Sequence, residues 1–572
     1  MIKWKKKDSC TSLKEVIERN TGMSEADFLR DDYQTPIKNM DEMIAELNEI
    51  AADGRSVGVF ADYDCDGICS AVIMHIILQL LKVKSFKVYF PKRSTGYGLK
   101  PFNVDNIDKD VIITVDNGIA ANDAISYANS LGKEVLVIDH HLAAENLPEA
   151  KLIIDPHVFK FNENDFEDWC GAGLCYELGR RLFPKYENLM REIAALATVA
   201  DVVPLVKDNR QIVKIGLNLL LKSSIMYASS DKPLKKGDEA LTRLLIVLNN
   251  GYAPKYIDEN TVGFKIAPIF NAMSRVEDDA EYVYKYILKN DTGMLRHMLD
   301  INEKRKCIVN ESVEKAYKQI AEECLFADFP LVLYEPSIPE GVVGIVAGRL
   351  AEEKNIPVIV LTDSSEEGVI KGSARNPLED LNIKEELEKV SELLESFGGH
   401  KGAAGLSLKA ENLPLLRTQF SKMYADREET EPEMVYDLEL SPEQIVTANN
   451  ELRKYAPFGA GNENPVFLIN KFRLLPNGGK LYDTIGDGRT IKLYAGEVSA
   501  IGFEMLDKYQ DIGLPKNLNL LGKINENHFG KTVSVQIEMI DIEKSKEEVK
   551  EKSNLANALK KGLLASFGGG MK

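Results

Sequence analysis

Three carboxylates at alternate positions, Asp62, Asp64 and Asp66, follow a short apolar run at Val57–Phe60 and lead into Gly67. Acids crowded this closely repel one another, and a divalent cation is the ordinary compensating charge. Taken alone, the stretch also fits a calcium loop or an acidic surface turn. Other chemistry-bearing residues stand just past further apolar runs. Asp116 follows Val111–Val115, Asp139-His140-His141 follows Glu134–Ile138, Asp155 follows Leu152–Ile154, and Asp201 lies shortly before Pro204. Asp62, Asp64, Asp66, Asp116, His140 and Asp201 make a carboxylate-rich set with one imidazole. Such hard ligands suit Mn²⁺ or Mg²⁺ rather than thiolate-bound zinc. One carboxylate on a central strand can bridge two ions about 3.5–4 Å apart, and ion pairs of this kind cleave phosphate esters by in-line displacement, with no Ser or Cys nucleophile. His140 by itself reads equally well as a structural histidine, His157 as structural and His75 as core packing.

The elements that must position these groups alternate. Strands are expected at Val57–Phe60, Lys87–Phe90, Val111–Val115, Glu134–Ile138 and Leu152–Ile154, with helices over Ser70–Leu81 and Ala120–Leu131. Strand–helix alternation predicts a parallel α/β sheet, and sheets of this class place their sites at the C-terminal strand ends. A Gly-rich loop, Pro91–Leu99, carries Lys92 and Arg93. Arg191–Val203 reads as a helix, and a long connecting helix is expected near Ala280–Glu323. A second α/β unit starts at Pro330, with strands at 330–334 and 358–362 and a helix over Val342–Lys354. From about residue 432 short alternating segments replace this pattern and suggest a small β-barrel.

A chain of 572 residues suggests about three domains. Neither an apolar run of spanning length nor a signal-peptide core is read in it, and its seven scattered cysteines fit a reducing compartment, so a cytoplasmic location is expected. Cys65/Cys69 and Cys170/Cys175 lack ordinary metal-site spacing. A net charge of −18 argues against a broad nucleic-acid-coating surface but leaves room for a local basic groove.

DYDCDG at 62–67, DNG at 116–118, DHH at 139–141 and VADVVPL at 199–205 resemble the successive motifs of the DHH phosphoesterase family, in the form of its RecJ branch. PKRSTGYGL, EGVVGIVAGRL at 340–350, GSARN at 372–376, FGGHKGAAG at 397–405 and PFGAGNENPVF at 457–467 resemble the same branch in the same order. The resemblance covers about residues 50–545. It implies a parallel-sheet DHH catalytic domain at 51–279, a DHHA1 domain at 326–430 and an OB-fold β-barrel at 431–545; the residues themselves read as an N-terminal helical cap at 1–50, a connecting helix at 280–325 and a C-terminal tail at 546–572. It implies a single-stranded-DNA-specific 5′-to-3′ exonuclease of DNA repair and recombination, working as a monomer with two Mn²⁺ or Mg²⁺ ions. A helicase and a single-strand-binding protein are the candidate partners.

Carried over by position, Asp66, Asp116, His140 and Asp201 hold one metal, Asp62, Asp64 and Asp116 the other, and His141 neighbours the scissile phosphate. Arg93, Ser373 and Arg375 match residues that grip a 5′-phosphate, a task suited to planar guanidinium groups. His400 matches the DHHA1 substrate histidine. Asn271 and Arg275, in NAMSR, match a segment usually reading NAAGR, so Met273 and Ser274 are departures. Ile338-Pro339 stands where a Trp-His pair is common. These departures bear on how DNA is gripped between the two domains. A short-oligonucleotide or cyclic-dinucleotide phosphodiesterase would not need the barrel. A family II pyrophosphatase would want a His where Gly58 and Val59 stand. A non-enzymatic replication scaffold would have lost acids that are all present here.

Overall fold

The structure, a computed structural model, describes residues 3–143, 146–163, 165–229, 238–427, 433–486, 488–529 and 532–545. The expected tail at 546–572 and the lysine run at Lys232–Lys236 lie outside them. The chain forms two compact units. One contains Thr35–Asp201 with Ile215–Glu429, the other the described residues of Met1–Gln34, Val202–Lys214 and Thr430–Lys572.

The first unit holds two sheets. In the N-terminal one, five parallel strands lie in the order Phe86–Tyr89, Val57–Ala61, Val111–Val115, Glu134–Ile138, Leu152–Ile154. Val57–Ala61 and Val111–Val115 are buried throughout, as parallel strands covered on both faces must be. Register matters most here. Ala61 pairs with Val115, Val115 with Ile138, and Ile138 with Ile154. The next residue after each is an aspartate, so Asp62, Asp116, Asp139 and Asp155 line one edge of the sheet. The helix Cys65–Leu80 is apolar nearly all round and correspondingly buried. It begins five residues before the expected Ser70. Asp64 is its N-cap, so Asp66 stands on its first turn rather than in a loop.

The expected single connecting helix is two, Glu281–Lys289 and Thr292–Glu322. Asn290 adopts the left-handed conformation that ends the first, and the Asp291 side chain caps the second. The second sheet runs Ser396–His400, Ala403–Lys409, Val369–Arg375, Val358–Asp363, Leu331–Tyr334, with only the last pair parallel. The helix Glu340–Lys354 packs its Val342, Val343, Val346 and Leu350 against this sheet and the long helix.

The second unit carries a seven-stranded mixed sheet between Leu438 and Lys544. Residues 1–50 are not one helical cap. Lys3–Lys6 is a strand, parallel to Glu433–Tyr436, and Trp4 Nε1 donates to Asp541 at 2.9 Å. The charged sequence hides this strand, whose alternating burial comes from its pairing. In the same unit Ala460 O accepts from Leu205 N at 2.7 Å, and a Cβ at Gly461 would stand 2.9 Å from Pro204. The PFGAGN turn is thus moulded to the segment that follows Asp201. Among the described residues, no helix is long and apolar enough to cross a membrane.

Candidate active site

The sheet edge explains why the acids converge. Asp116 takes a left-handed backbone at φ 59°, and its N–H donates to Ile138 O at 2.9 Å. Asp66 projects from the first helical turn toward the N-terminus of Gly171–Leu182, where Gly171 and Ala172 N–H donate to its carboxylate at 2.7 and 2.8 Å. A helix N-terminus is a natural seat for an anion. Glycines permit the crowding. A Cβ at Gly67 would collide with the Asp62 backbone, and one at Gly171 would stand 2.7 Å from Asp116 Cβ.

Three groups result, each with its ligand atoms within 4.8 Å of one another: Asp66, His140 and Asp201; Asp62, Asp64 and Asp116; and Asp116, His140 and His141. His140 Nε2 lies 3.1 Å from Asp116, 3.6 Å from Asp201 and 3.7 Å from Asp66. Asp116 therefore stands between the two expected ligand sets. Burial first, and then neighbouring carboxylates, pushes Asp62, Asp116 and Asp201 well above the usual carboxylate range and Asp66 up to about 6. Burial and the His141 charge hold His140 down at about 3, leaving it neutral and free to ligate. For His141, burial opposes charge. Its Nδ1 bond to Asp139 at 2.7 Å and the surrounding acids outweigh that and raise it to about 9. Asp62 Oδ1 is buried with no hydrogen-bond partner. An orphaned, buried, acceptor-only oxygen beside further carboxylates fits a hard divalent cation.

Two residues beyond the expected set belong to this centre. Asp139 Oδ2 accepts from Ile119 N at 2.9 Å while Oδ1 accepts from the His140 and His141 N–H groups, so one carboxylate orients both histidines. Tyr97, in the Gly-rich loop, donates its hydroxyl to Asp116 O at 3.1 Å and lies 3.1 Å from His141 Nδ1. Asp139 was legible as the first member of the Asp-His-His run. Tyr97 had only its place in that loop.

The arginines gather on the approach. The Arg93 guanidinium covers the Tyr63 ring at 4.0 Å, and its buried Nε has no partner. Arg275 Nη1 donates to Gly341 O at 3.0 Å. Burial, then the charge of Arg93, brings Arg275 down to about 10, and Asp64 pulls the other way. Arg375 Nη1 donates to Ser373 Oγ at 2.5 Å, and a Cβ at Gly344 would stand 2.8 Å from Arg375 Nη2. Asn271 lies one turn before Arg275, with Oδ1 buried and unpartnered. His400 ends the exposed edge strand, in register with Ala403 and, one strand further, with Arg375; its Nδ1 accepts from Gly402 N. The departures are apolar or small, and all but the exposed Pro339 are buried. Met273 and Ser274 pack inside, Ile338 joins the core, and Pro339 precedes the helix Glu340–Lys354. None can reach for a phosphate as a histidine would.

Three family models match: the DHH family, N-terminal domain, over residues 56–200; the DHHA1 domain over 328–426; and the RecJ OB domain over 436–541. The chain is 30% identical over 471 residues to the single-stranded-DNA-specific exonuclease RecJ of Dickeya dadantii, covering 76% of this chain and 78% of that protein. It is 29% identical over 530 residues to the protein of the same name from Bacillus subtilis, covering 89% of this chain but only 64% of the relative's length. The crystal structure of RecJ in complex with Mn²⁺ from Thermus thermophilus superposes with a TM-score of 0.74 at 25% identity, covering 93% of this chain and 76% of that one. With DHH, DHHA1 and RecJ OB domains in this order along the chain, and a relative 30% identical over most of both lengths, the chain belongs to the RecJ family.

Proposed function

We propose that this protein hydrolyses single-stranded DNA from its 5′ end, releasing 5′-mononucleotides in DNA repair and recombination. The observation that carries this reading is the adjacency of two charge clusters in one unit. Asp62, Asp64, Asp66, Asp116, His140 and Asp201 form an acid–imidazole centre, and Arg275, within the electrostatic reach of Asp64, belongs to the arginine group. Asp66, Asp116, His140 and Asp201 would hold one Mn²⁺ or Mg²⁺ ion and Asp62, Asp64 and Asp116 a second. When bound, such ions supply a nucleophile at neutral pH and neutralise charge that develops on phosphate.

The chain's own residues do the rest. Arg93, Ser373 and Arg375 bind the terminal phosphate, with the bidentate geometry that guanidinium groups offer. His141, held charged by Asp139, stands beside the scissile phosphate and offers it an N–H donor. Tyr97 fixes the ring of His141. Asn271, Arg275 and His400 guide the strand, and the OB domain adds affinity for single strands. We read the enzyme as a cytoplasmic monomer that receives its strand from a helicase or a single-strand-binding protein. The test is Mn²⁺-dependent release of mononucleotides from 5′- and 3′-labelled DNA and RNA strands. Release of the 5′ label as the first product from DNA is expected. Release beginning at 3′ ends would overturn the assignment of the arginines.

A further inference from the structure

The Gly-rich loop and the end of the helix Ala267–Val276 meet through two adjacent pairs of residues. Arg93 and Arg275 are the like-charged pair. Neither has a carboxylate within ion-pair distance among the described residues, and each is largely enclosed, Arg93 against Tyr63 and Arg275 against Gly341. The two guanidinium groups repel each other, and the neighbouring Asp64 offsets this only in part. Nothing in that pair keeps the loop in place. The residues immediately beside them do. Ser94 follows Arg93, and Asp278 lies three positions after Arg275. The Ser94 hydroxyl donates to Asp278 Oδ2 at 2.5 Å, and the Ser94 N–H donates to Asp278 Oδ1 at 3.3 Å. Asp278 holds a left-handed backbone, φ 58°, which turns its carboxylate back toward the loop. The loop has few other anchors at this end, and Gly96 and Gly98 lie at φ 92° and 74°, with no neighbour against the place a Cβ would take at either.

We propose that Asp278 is a positioning residue, latching Ser94 so that Arg93 is held beside Arg275 before the strand arrives. The inference rests on the 5′-phosphate reading of Arg93 and Arg375 given above. The latch acts on recognition of the terminal anion, not on the acid centre. Asp278 touches neither the expected ligands nor the phosphate; it sets where Arg93 stands. The role needs hydrogen-bonding geometry more than charge: an Asn amide oxygen can accept from the Ser94 N–H while its NH2 donates to the Ser94 hydroxyl oxygen.

The experiment compares the full-length parent with Asp278→Ala, Asp278→Asn, Ser94→Ala and the Ser94→Ala/Asp278→Ala double variant on 5′-phosphorylated and 5′-hydroxyl strands. It reads KM and kcat separately and strand binding in EDTA by fluorescence anisotropy. Asp278→Ala is expected to raise KM for the phosphorylated strand about tenfold, the scale of a lost charge-assisted hydrogen bond, with kcat within about twofold of the parent. Asp278→Asn should restore most of the loss. Ser94→Ala should repeat it, and the double variant should be no worse than either single one, as expected for two halves of one contact. A parent with no 5′-phosphate preference would overturn the phosphate reading and the latch with it. A parental preference that Asp278→Ala retains, or a loss that Asn fails to restore, would overturn the latch alone.

Discussion

The acid centre and the arginine approach are both crowds of one charge, but they are built in opposite ways. The acids stand on in-register strand ends, at the start of one helix and, for Asp201, at the C-cap of another, and backbone N–H groups hold three of them. Asp66 is held by Gly171 and Ala172, Asp64 by Asp66 and Gly67, Asp139 by Ile119 and two histidines. The arginines come from a loop, a helix end and the strand Val369–Arg375, and each rests on one or two contacts. The acid centre is therefore a platform fixed by the backbone, whereas the arginine group depends on the few contacts that place each side chain, the Ser94–Asp278 pair among them. Disturbing the first should abolish chemistry and leave the fold intact. Disturbing the second should change which ends are read.

Asp116 is where the comparison can be broken most sharply. Asp116→Ala removes a ligand shared by both expected sites, and turnover of single strands should fall at least about a hundredfold. The same change removes a buried carboxylate already repelled by Asp62, Asp64, Asp66 and Asp201, so the metal-free variant should melt at or above the parental temperature. Retention of more than about a tenth of the parental rate would break the picture of a shared acid.

On the other side the sensitive positions are glycines of the helix Glu340–Lys354. A methyl at Gly344 meets the far end of the Arg375 side chain, which can swing away. Gly344→Ala should fold normally and lose the preference for 5′-phosphorylated over 5′-hydroxyl ends by about tenfold, because a displaced guanidinium loses a charge-assisted contact. A methyl at Gly341 meets the backbone carbonyl of Arg275, which cannot swing. Gly341→Ala should cost about 1–3 kcal/mol of stability, as overpacking does, measurable by denaturant unfolding. If both variants behaved alike, the approach would be as rigid as the acid centre.

These two regions were also unequally legible in the sequence. Four strands each followed directly by aspartate mark the sheet edge, since apolar runs and their last residues are local features. The placement of Asp66 was not legible. Gly67 and three acids read as a loop, whereas Asp64 caps a helix whose first turn holds Asp66 and Gly67. The break in the connector was written in Asn290-Asp291, a C-terminal signal followed by an N-cap, but the charged residues on both sides resemble one continuous helix. The strand Lys3–Lys6 depends on a partner more than four hundred positions away, which no local pattern reports. The arginines were legible one at a time, and their convergence only through contacts of the fold.

A subtler test lies at the fourth acid of the sheet edge. Asp155 is buried, its Oδ2 has no partner, and burial followed by Asp139 raises it to about 7. The folded state thus holds a proton there that the unfolded chain, near 3.9, releases sooner. The stability it contributes is full below the unfolded value and is lost as pH rises through about 7. Asp155→Asn keeps an oxygen for the His157 N–H and removes the titration. The variant should gain on the order of 1–3 kcal/mol at pH 8 and almost nothing at pH 4, in metal-free melts at both pH values. An equal effect at both would show that Asp155 is ionised in the fold, and would place this acid with the platform's held carboxylates.

The smallest expected effect concerns how an acidic protein holds DNA at all. The described basic run at Lys304–Lys306 is partly engaged within its own helix: Lys306 pairs with Glu303, and Arg305, whose charge reaches Arg275, donates to Asn302. Arg93, Arg275 and Arg375 make a narrow positive track within a chain of net charge −18. A narrow track neutralises few phosphates, and each one contributes about −0.7 to the slope of log affinity against log salt for a single strand. The slope should therefore be modest, on the order of −2 to −4. Arg375→Ala should make it shallower by about one contact's worth, while Asp116→Ala, which removes no cation, should leave it unchanged or steeper. Titrations of a fluorescent single strand in EDTA across low to moderate salt decide this. A slope as steep as a broad basic surface gives would mean that the strand is held mainly by groups outside the arginine approach, and the approach would then be a reader of ends without being the grip.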